Sequence, residues 1–104
     1  MNHITTKEEF EKLIKENDNV VIDFFATWCG PCKMLSPILE EVAQEVTDVV
    51  FVKVDVDEAE ELASLFGIQS IPTVAYIKER KLLLRELGFK PKQNILKNIS
   101  EIYR

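Results

Sequence analysis

A strand that leads directly into a helix is the feature that most restricts how this chain can fold. Residues 20–25 are apolar except for one charged residue, Asp23, near their centre. Such a run is typical of a central strand that is covered on both faces. A helical pattern begins at about Cys32 and places five apolar residues on one face: Leu35, Ile38, Leu39, Val42 and Val46. This succession of elements indicates an α/β protein.

Two further helices are predicted from the residues that cap them. Thr6 and Glu9 have the spacing of a capping box, in which two side chains satisfy free backbone N–H groups at the start of a helix. Asp57 and Glu60 repeat this spacing before a shorter apolar pattern, and Gly67 follows where a C-terminal cap is expected. We therefore expect one helix before the apolar strand and a short helix in the second half of the chain.

The remaining strands are predicted from the alternation of apolar and polar residues. Valines alternate with other residues along 49–56, while 73–77 and 81–87 have the pattern of two paired strands joined by a tight polar turn. A weak first strand is expected over residues 3–5, and Pro91 suits the first position of a last helix. The complete order of elements predicts an α/β domain with a mixed sheet.

Length and charge limit the kind of protein this is. A chain of 104 residues is too short to form two separate cores, so we expect a single domain over residues 1–104. The formal net charge is −5 and the basic residues are not clustered, which argues against nucleic-acid binding. No apolar stretch approaches the ~18 residues that span a bilayer. No signal-peptide pattern is found either, so we expect a cytoplasmic protein with no membrane partner.

The pair of cysteines lies where the apolar strand gives way to the helix. Free N–H groups and the positive end of the helix dipole stabilise a thiolate at this position, which makes Cys29 the expected nucleophile. Pro31 fits the first helical turn, because its missing N–H has no partner to lose there. Cys32 lies one turn further on and can attack a mixed disulfide formed at Cys29. This arrangement predicts thiol–disulfide exchange.

Three other interpretations of the cysteines remain open on their spacing alone. A zinc site needs about four ligands, and the chain offers one histidine, His3, beyond the two cysteines. A purely structural disulfide is rare in the cytoplasm, and so short a loop would contribute less than the ~3 kcal/mol of a 15-residue loop. Two unreactive buried cysteines are the third interpretation, but these would not require a strand-to-helix junction. We expect no metal.

Short matches to one known family occur throughout the chain. They comprise Asp23-Phe24, the octapeptide of residues 26–33 that contains Trp28-Cys29-Gly30-Pro31-Cys32, Pro37, Lys53-Val54-Asp55, Gly67-Ile68, Ile71-Pro72-Thr73 and Gly88. On these residues the sequence resembles the thioredoxin family. The resemblance implies the thioredoxin fold, in which a central mixed β-sheet is flanked by α-helices on both faces.

The resemblance also implies roles for the residues around the cysteines. Cys29 would attack substrate disulfides, Cys32 would resolve the intermediate, and Asp23 would relay a proton for Cys32. The residues themselves agree on Asp23, because an isolated buried carboxylate has a raised pKa suited to proton transfer near neutral pH; a strand residue that faces solvent is the alternative. Lys53 would lie beside that acid, although its pattern fits a solvated strand face equally well.

A substrate-binding surface is implied by the same resemblance. Ile71-Pro72 corresponds to a cis-proline dipeptide opposite the cysteines, where the Ile71 backbone pairs with an extended substrate. The flanking contact surface would comprise Trp28, Gly30, Pro31, Pro72 and Gly88. A buried core position is the alternative for Trp28.

The function implied by the resemblance is that of a general protein-disulfide reductase. It would use the Cys29 and Cys32 dithiol/disulfide couple, hold no cofactor, act as a monomer, and receive electrons from NADPH through thioredoxin reductase. The alternative is a thioredoxin-fold binding subunit of a larger assembly with non-essential cysteines. Three features depart from the family pattern and leave partner choice open. Phe25 replaces a common second Trp, the turn Glu79-Arg80-Lys81 lacks the common glycine, and Phe89 follows Gly88 where a smaller residue is usual.

Overall fold

The computed structural model describes residues 1–104 as five strands and four helices. In chain order they are β1 (Asn2–His3), α1 (Lys7–Glu16), β2 (Asn19–Phe25), α2 (Gly30–Glu45), β3 (Val50–Asp55), α3 (Glu60–Leu65), β4 (Thr73–Lys78), β5 (Lys81–Leu87) and α4 (Lys92–Tyr103). The predicted order of elements is confirmed. The expected strand over residues 3–5 is displaced, since Asn2 and His3 are the residues that pair with β3.

The strands form one mixed sheet in the order β1-β3-β2-β4-β5. β3 lies parallel to both β1 and β2, whereas β4 runs antiparallel to β2 and β5. β2 therefore occupies the centre of the sheet, as its apolar sequence predicts. The connection from β4 to β5 is a two-residue turn in which Glu79 and Arg80 have φ angles of 49° and 69°, so that two non-glycine residues take the left-handed conformation.

Apolar cores lie on both faces of the sheet. On one face α1 and α3 pack against alternate residues of the strands, with Phe10, Leu62 and Phe66 opposed to Ile22, Phe24, Val52 and Val54. On the other face α2 and α4 pack against the intervening residues, with Leu35, Leu39, Ile95 and Ile99 opposed to Val21, Phe51, Val74 and Tyr76. This two-sided burial confirms the expected architecture and makes β2 a rigid support for the residues that follow it.

The expected caps are present at α1 and at the end of α3 but not at the start of α3. The Thr6 hydroxyl accepts from the Glu9 backbone N–H at 3.1 Å, and the Glu9 carboxylate accepts from the Thr6 N–H at 3.2 Å. Gly67 has a φ of +65° and ends α3 in a Schellman arrangement. The prediction that Asp57 caps α3 is wrong, because Ala59 is the N-cap and no side chain caps this end.

Two helix boundaries differ slightly from the prediction. α2 begins at Gly30, with Cys29 as its N-cap, rather than at about Cys32. Pro91 is the N-cap of α4 rather than its first helical residue, with an extended ψ of 163°. Its carbonyl oxygen accepts a hydrogen bond from the Asn94 N–H at 3.0 Å. Proline can therefore be the N-cap, because this position uses the carbonyl and not the backbone N–H that proline lacks. No helix of the chain is both long enough and apolar enough to cross a membrane.

The hydroxyl of Tyr103 links α4 to β2 and β4. Replacing Tyr103 by Phe is therefore expected to destabilise the protein. The hydroxyl lies 2.9 Å from the carbonyl oxygens of both Val20 and Ile77, and Tyr103 is 8% exposed. Removal leaves buried acceptors without this donor, which costs about 1–2 kcal/mol. Thermal unfolding should show a midpoint lower by about 4–8 °C for each kcal/mol lost.

A matched control for this change is Tyr76→Phe. Tyr76 is fully buried, and its hydroxyl accepts one longer bond of 3.3 Å from the Asn98 side chain. Its loss should lower the unfolding midpoint less than the loss of the Tyr103 hydroxyl. Equal midpoints for the Tyr103→Phe variant and the unchanged protein would contradict the proposed link.

Candidate active site

The cysteines lie at the junction of β2 and α2, as expected from the sequence. Cys29 and Cys32 form a disulfide with their Cα atoms 5.3 Å apart. Cys29 is 6% exposed and Cys32 2% exposed. Both cysteines are thus buried, Cys32 more fully than Cys29, and the chain is in its oxidised state.

The start of α2 supplies a hydrogen-bond donor to one of the two sulfurs. Cys29 is the N-cap residue, and its Sγ accepts from the backbone N–H of Cys32 at 3.2 Å. Pro31 occupies the first turn, where it loses no helical hydrogen bond. In the reduced protein this donor and the helix dipole favour a thiolate at Cys29 and increase its reactivity.

Asp23 lies on β2 as an isolated buried carboxylate. It is 1% exposed, and neither carboxylate oxygen has a hydrogen-bond partner. Burial raises the pKa of Asp23 from 3.8 to about 7, against a lowering influence of the Lys53 charge and with a smaller raising influence of Glu40. A carboxyl group with this pKa can accept and return a proton near neutral pH.

Lys53 is next to Asp23 across the sheet, because the two residues are paired in the parallel register of β2 and β3. The Lys53 Nζ lies 5.8 Å from the centroid of the Phe25 ring. Lys53, Phe25 and Cys32 all line one cavity of about 270 Å³, together with residues at the start of α2. Lys53 therefore lines the same cavity as Cys32. The strand pattern alone did not decide whether Lys53 belongs to this site or to a solvated strand face.

The segment before β4 faces the cysteines. The Ile71–Pro72 peptide bond is cis, as the resemblance implied. The half-buried Ile71 packs against the small apolar cluster that contains Cys29 and Cys32. Its backbone N–H and carbonyl make no hydrogen bond within the chain, whereas Gly88 N–H donates to the Pro72 carbonyl at 2.8 Å. Ile71 therefore presents a free backbone donor and acceptor next to the disulfide.

Trp28 lies on the surface rather than in the core. Its side chain is 70% exposed, and its Nε1 donates to Asp57 Oδ2 at 2.7 Å. Gly30 and Pro31 are also exposed on this side of the disulfide. The side chains of Leu87 and Phe89 are 52% and 38% exposed on either side of Gly88.

Asp57 is the residue of this site that the sequence did not assign to it. Its backbone N–H donates to Asp55 Oδ1 at 2.9 Å, in a local turn that directs the Asp57 side chain toward Trp28. The only signal in the sequence is an acidic residue just after a strand, which is equally typical of a helix cap. No group of three or more His, Cys, Asp or Glu side chains in residues 1–104 could hold a metal ion.

Comparison with known proteins gives consistent matches. The family model described as thioredoxin matches residues 1–101. The chain is 52% identical over 95 residues to a thioredoxin of Mycoplasmoides gallisepticum, covering 91% of this chain and 95% of that protein. It is 46% identical over 88 residues to the mitochondrial thioredoxin-3 of Saccharomyces cerevisiae, covering 85% of this chain and 69% of the relative.

Solved structures agree over nearly the whole length. The oxidised form of mitochondrial thioredoxin 3 from Saccharomyces cerevisiae superposes with a TM-score of 0.92 at 40% identity, covering 98% of this chain and 95% of that one. The oxidised thioredoxin of Plasmodium falciparum superposes with a TM-score of 0.88 at 36% identity, covering 100% of this chain and 99% of that one.

Proposed function

The chain belongs to the thioredoxin family, and from this membership we propose that Cys29 attacks substrate disulfides and that Cys32 resolves the resulting intermediate. The protein is a thiol–disulfide oxidoreductase and a protein-disulfide reductase with a redox-active Cys-Gly-Pro-Cys couple. We propose in addition the roles of the individual residues, the range of substrates and the route by which electrons reach the cysteines.

The hydrogen bond from Cys32 N–H to Cys29 Sγ is the observation that carries the assignment of the two cysteines. It measures 3.2 Å and places the first sulfur at the N-terminus of a 16-residue helix. A developing negative charge on Cys29 is stabilised by this donor. The Cys32 sulfur has no equivalent donor, and Cys32 is the more deeply buried residue, which suits an internal attack better than an attack on an incoming protein.

The reaction proceeds in two exchanges that balance in electrons and protons. The Cys29 thiolate attacks one sulfur of the substrate disulfide, forms a mixed disulfide and releases the other substrate sulfur as a thiolate, which takes up a proton. Cys32 then loses its proton and attacks Cys29 Sγ. The Cys29–Cys32 disulfide forms, the mixed disulfide breaks, and the second substrate sulfur leaves as a thiolate, which takes up a proton from the solvent. Two electrons have passed from the cysteines to the substrate.

Asp23 is the group proposed to accept the proton of Cys32. Its pKa of about 7 allows it to be deprotonated before the second exchange and protonated after it. Lys53 lowers this pKa by its charge and lines the cavity next to Cys32. We assign to Lys53 the role of keeping Asp23 sufficiently acidic to act as a base at neutral pH.

Substrate binding is proposed for the surface that surrounds the disulfide. The free backbone N–H and carbonyl of Ile71 can pair with one residue of an extended substrate chain. The remaining contacts would come from Trp28, Gly30, Pro31, Pro72 and Gly88. Backbone pairing and flat apolar contact discriminate little between side chains, which fits a reductase that acts on many proteins.

Family members are reduced by thioredoxin reductase, and we propose the same partner here, with electrons from NADPH. The protein would act as a cytoplasmic monomer, with residues 1–104 as one functional domain and no bound cofactor. The mixed-disulfide chemistry requires only the two cysteines and a reducing partner, so no prosthetic group is needed for either exchange.

Reduction of insulin coupled to NADPH oxidation tests this function. With a thioredoxin reductase present, the chain is expected to oxidise NADPH in proportion to its concentration, because each turnover returns one oxidised Cys29–Cys32 pair to the reductase. A parallel reaction with glutathione and glutathione reductase should proceed much more slowly. Turnover only with glutathione would indicate a glutaredoxin-like enzyme, and no turnover in either reaction would favour a binding subunit.

A further inference from the structure

The segment between α3 and β4 carries Ile71 but has few backbone hydrogen bonds that hold it. Its end is fixed by Gly88 N–H, which donates to the Pro72 carbonyl at 2.8 Å. The backbone N–H groups of residues 69–71 donate to no acceptor in the chain. The Thr73 hydroxyl also donates to the Ser70 carbonyl at 2.7 Å, so the side toward β4 is held twice. The remaining freedom of the Ile71 backbone depends on how the beginning of the segment is held.

Arg85 adds two hydrogen bonds to this beginning, beside the two N–H bonds of Gly67 and Ile68 that cap α3. It lies on β5, and its Nη1 donates to the carbonyl of Phe66 at 2.5 Å and to that of Gly67 at 3.1 Å. This nitrogen carries two hydrogens, so both bonds form at once. Arg85 makes no ion pair with any carboxylate of the chain. Its guanidinium is therefore used for these two carbonyls.

Gly67 leaves the space that the guanidinium occupies. A Cβ atom at Gly67 would lie 2.8 Å from Arg85 Nη1, closer than real Cβ contacts. The φ of +65° separately favours glycine at this position. The residue that ends α3 is thus fitted both to its turn and to the approach of Arg85.

β5 consequently contacts the segment at both ends, through the Arg85 side chain at the beginning and through Gly88, just beyond the strand, at the end. We propose that Arg85 is a positioning residue that holds the Ile71 backbone in place for pairing with a protein substrate. This inference rests on the substrate-binding role proposed for Ile71. Arg85 has no contact with Cys29 or Cys32, so exchange with a small disulfide that needs no backbone pairing does not depend on it.

Arg85→Met tests the proposal by comparing a protein substrate with a small one. The KM for insulin is expected to rise about threefold to fivefold, the size expected for loss of solvent-accessible hydrogen bonds, with kcat nearly unchanged. The rate with a small aromatic disulfide, 5,5′-dithiobis(2-nitrobenzoate), should stay within about twofold of that of the unchanged protein, because the cysteines keep their geometry. Amide hydrogen exchange of Gly67, Ile68 and Gly88, whose N–H groups are hydrogen-bonded at the two ends of the segment, should become faster, while that of β2 stays the same.

Lys81→Met is the matched control, since Lys81 is also on β5 and loses the same charge but makes no hydrogen bond to the segment. It should leave the insulin KM unchanged, and Arg85→Lys should recover most of the loss, because an ammonium group can still donate to both carbonyls. If Arg85→Met does not fold, Arg85→Gln keeps one amide donor and serves the same comparison.

Two results would overturn the proposal: an unchanged insulin KM in the folded variant, or equal losses with insulin and the small disulfide. Failure of the proposed function gives a different result, in which the unchanged protein itself reduces no insulin. In that case the amide exchange rates of Gly67, Ile68 and Gly88 still decide whether Arg85 holds the segment.

Discussion

A Cys29→Ser variant is expected to reduce no insulin, whereas a Cys32→Ser variant is expected to accumulate as mixed disulfides with its substrates. The first change removes the sulfur at the helix N-terminus, so no covalent intermediate can form. The Cys32→Ser change keeps the Cys29 sulfur and its hydrogen bond from the backbone N–H of residue 32. It removes the thiol that breaks the mixed disulfide. The two variants should therefore both stop turnover, but at different steps.

Mass spectrometry after incubation of each reduced variant with disulfide-bonded insulin distinguishes these two outcomes. Cys32→Ser should carry the additional mass of one insulin molecule, whose two chains stay joined by the disulfide that was not attacked, and a reducing agent should remove it. Cys29→Ser should remain at its own mass, as should the double variant Cys29→Ser/Cys32→Ser, which is the control for non-covalent capture. Trapping by Cys29→Ser instead of Cys32→Ser would reverse the assignment of nucleophile and resolving cysteine.

Replacing Asp23 by Asn is expected to remove the loss of stability that the oxidised protein undergoes as the pH rises from acidic to neutral. The folded-state pKa of Asp23 is raised to about 7 from an ordinary value of 3.8. Well below pH 3.8 both the folded and the unfolded chains hold the proton, and the carboxyl group and the amide are equally uncharged. As the pH rises toward 7, the unfolded chain loses its proton while the folded chain retains it, so the stability of the unchanged protein falls.

The size of this effect follows from the difference between the two pKa values. At about 1.4 kcal/mol for each pH unit, the interval from 3.8 to about 7 corresponds to about 4 kcal/mol. Above pH 7 the folded carboxylate is also charged, and the difference between the proteins stays constant. The Asn variant lacks this titration, so its free energy of unfolding should depend less steeply on pH over this interval.

Urea unfolding at intervals from pH 4 to pH 9 measures the effect. The comparison uses the change with pH rather than the absolute stability, because a buried amide without partners has its own desolvation penalty. Asp18→Asn, which changes an exposed carboxylate directly before β2, serves as the control and should follow the unchanged protein. Parallel curves for Asp23→Asn and the unchanged protein would show that Asp23 titrates alike in the folded and unfolded chains.

Local patterns in the sequence predicted the elements and the strand-to-helix junction well. The apolar run around Asp23 identified the central strand, and the capping box of Thr6 and Glu9 placed the start of α1 correctly. These features depend on residues that are neighbours in the sequence, so one chain carries enough information. The order of strands in the sheet, by contrast, depends on pairings between distant segments, and periodicity alone only narrowed it to a mixed sheet.

The parts of the site that escaped the sequence involve residues that are far apart along the chain. Asp57 was assigned to a helix cap, whereas it accepts a hydrogen bond from Trp28, 29 residues earlier. Acidic residues suit both environments, and only the folded chain decides between them. Arg85 donates to carbonyls 18 and 19 residues away. Every residue has a backbone carbonyl, so the identity of a residue does not indicate that its carbonyl accepts such a bond. The burial of Asp23 was predictable because its apolar neighbours are adjacent.

Trp28 gives the protein an optical signal of its own redox state. It is the only tryptophan in the chain, and it directly precedes Cys29 with its ring exposed and its Nε1 held by Asp57. Indole emission is sensitive to quenching by a nearby disulfide, so reduction of the cysteines changes the fluorescence of one identified ring. Unlabelled protein can thus be followed through each turnover in a rapid-mixing experiment, with no second indole to obscure the trace.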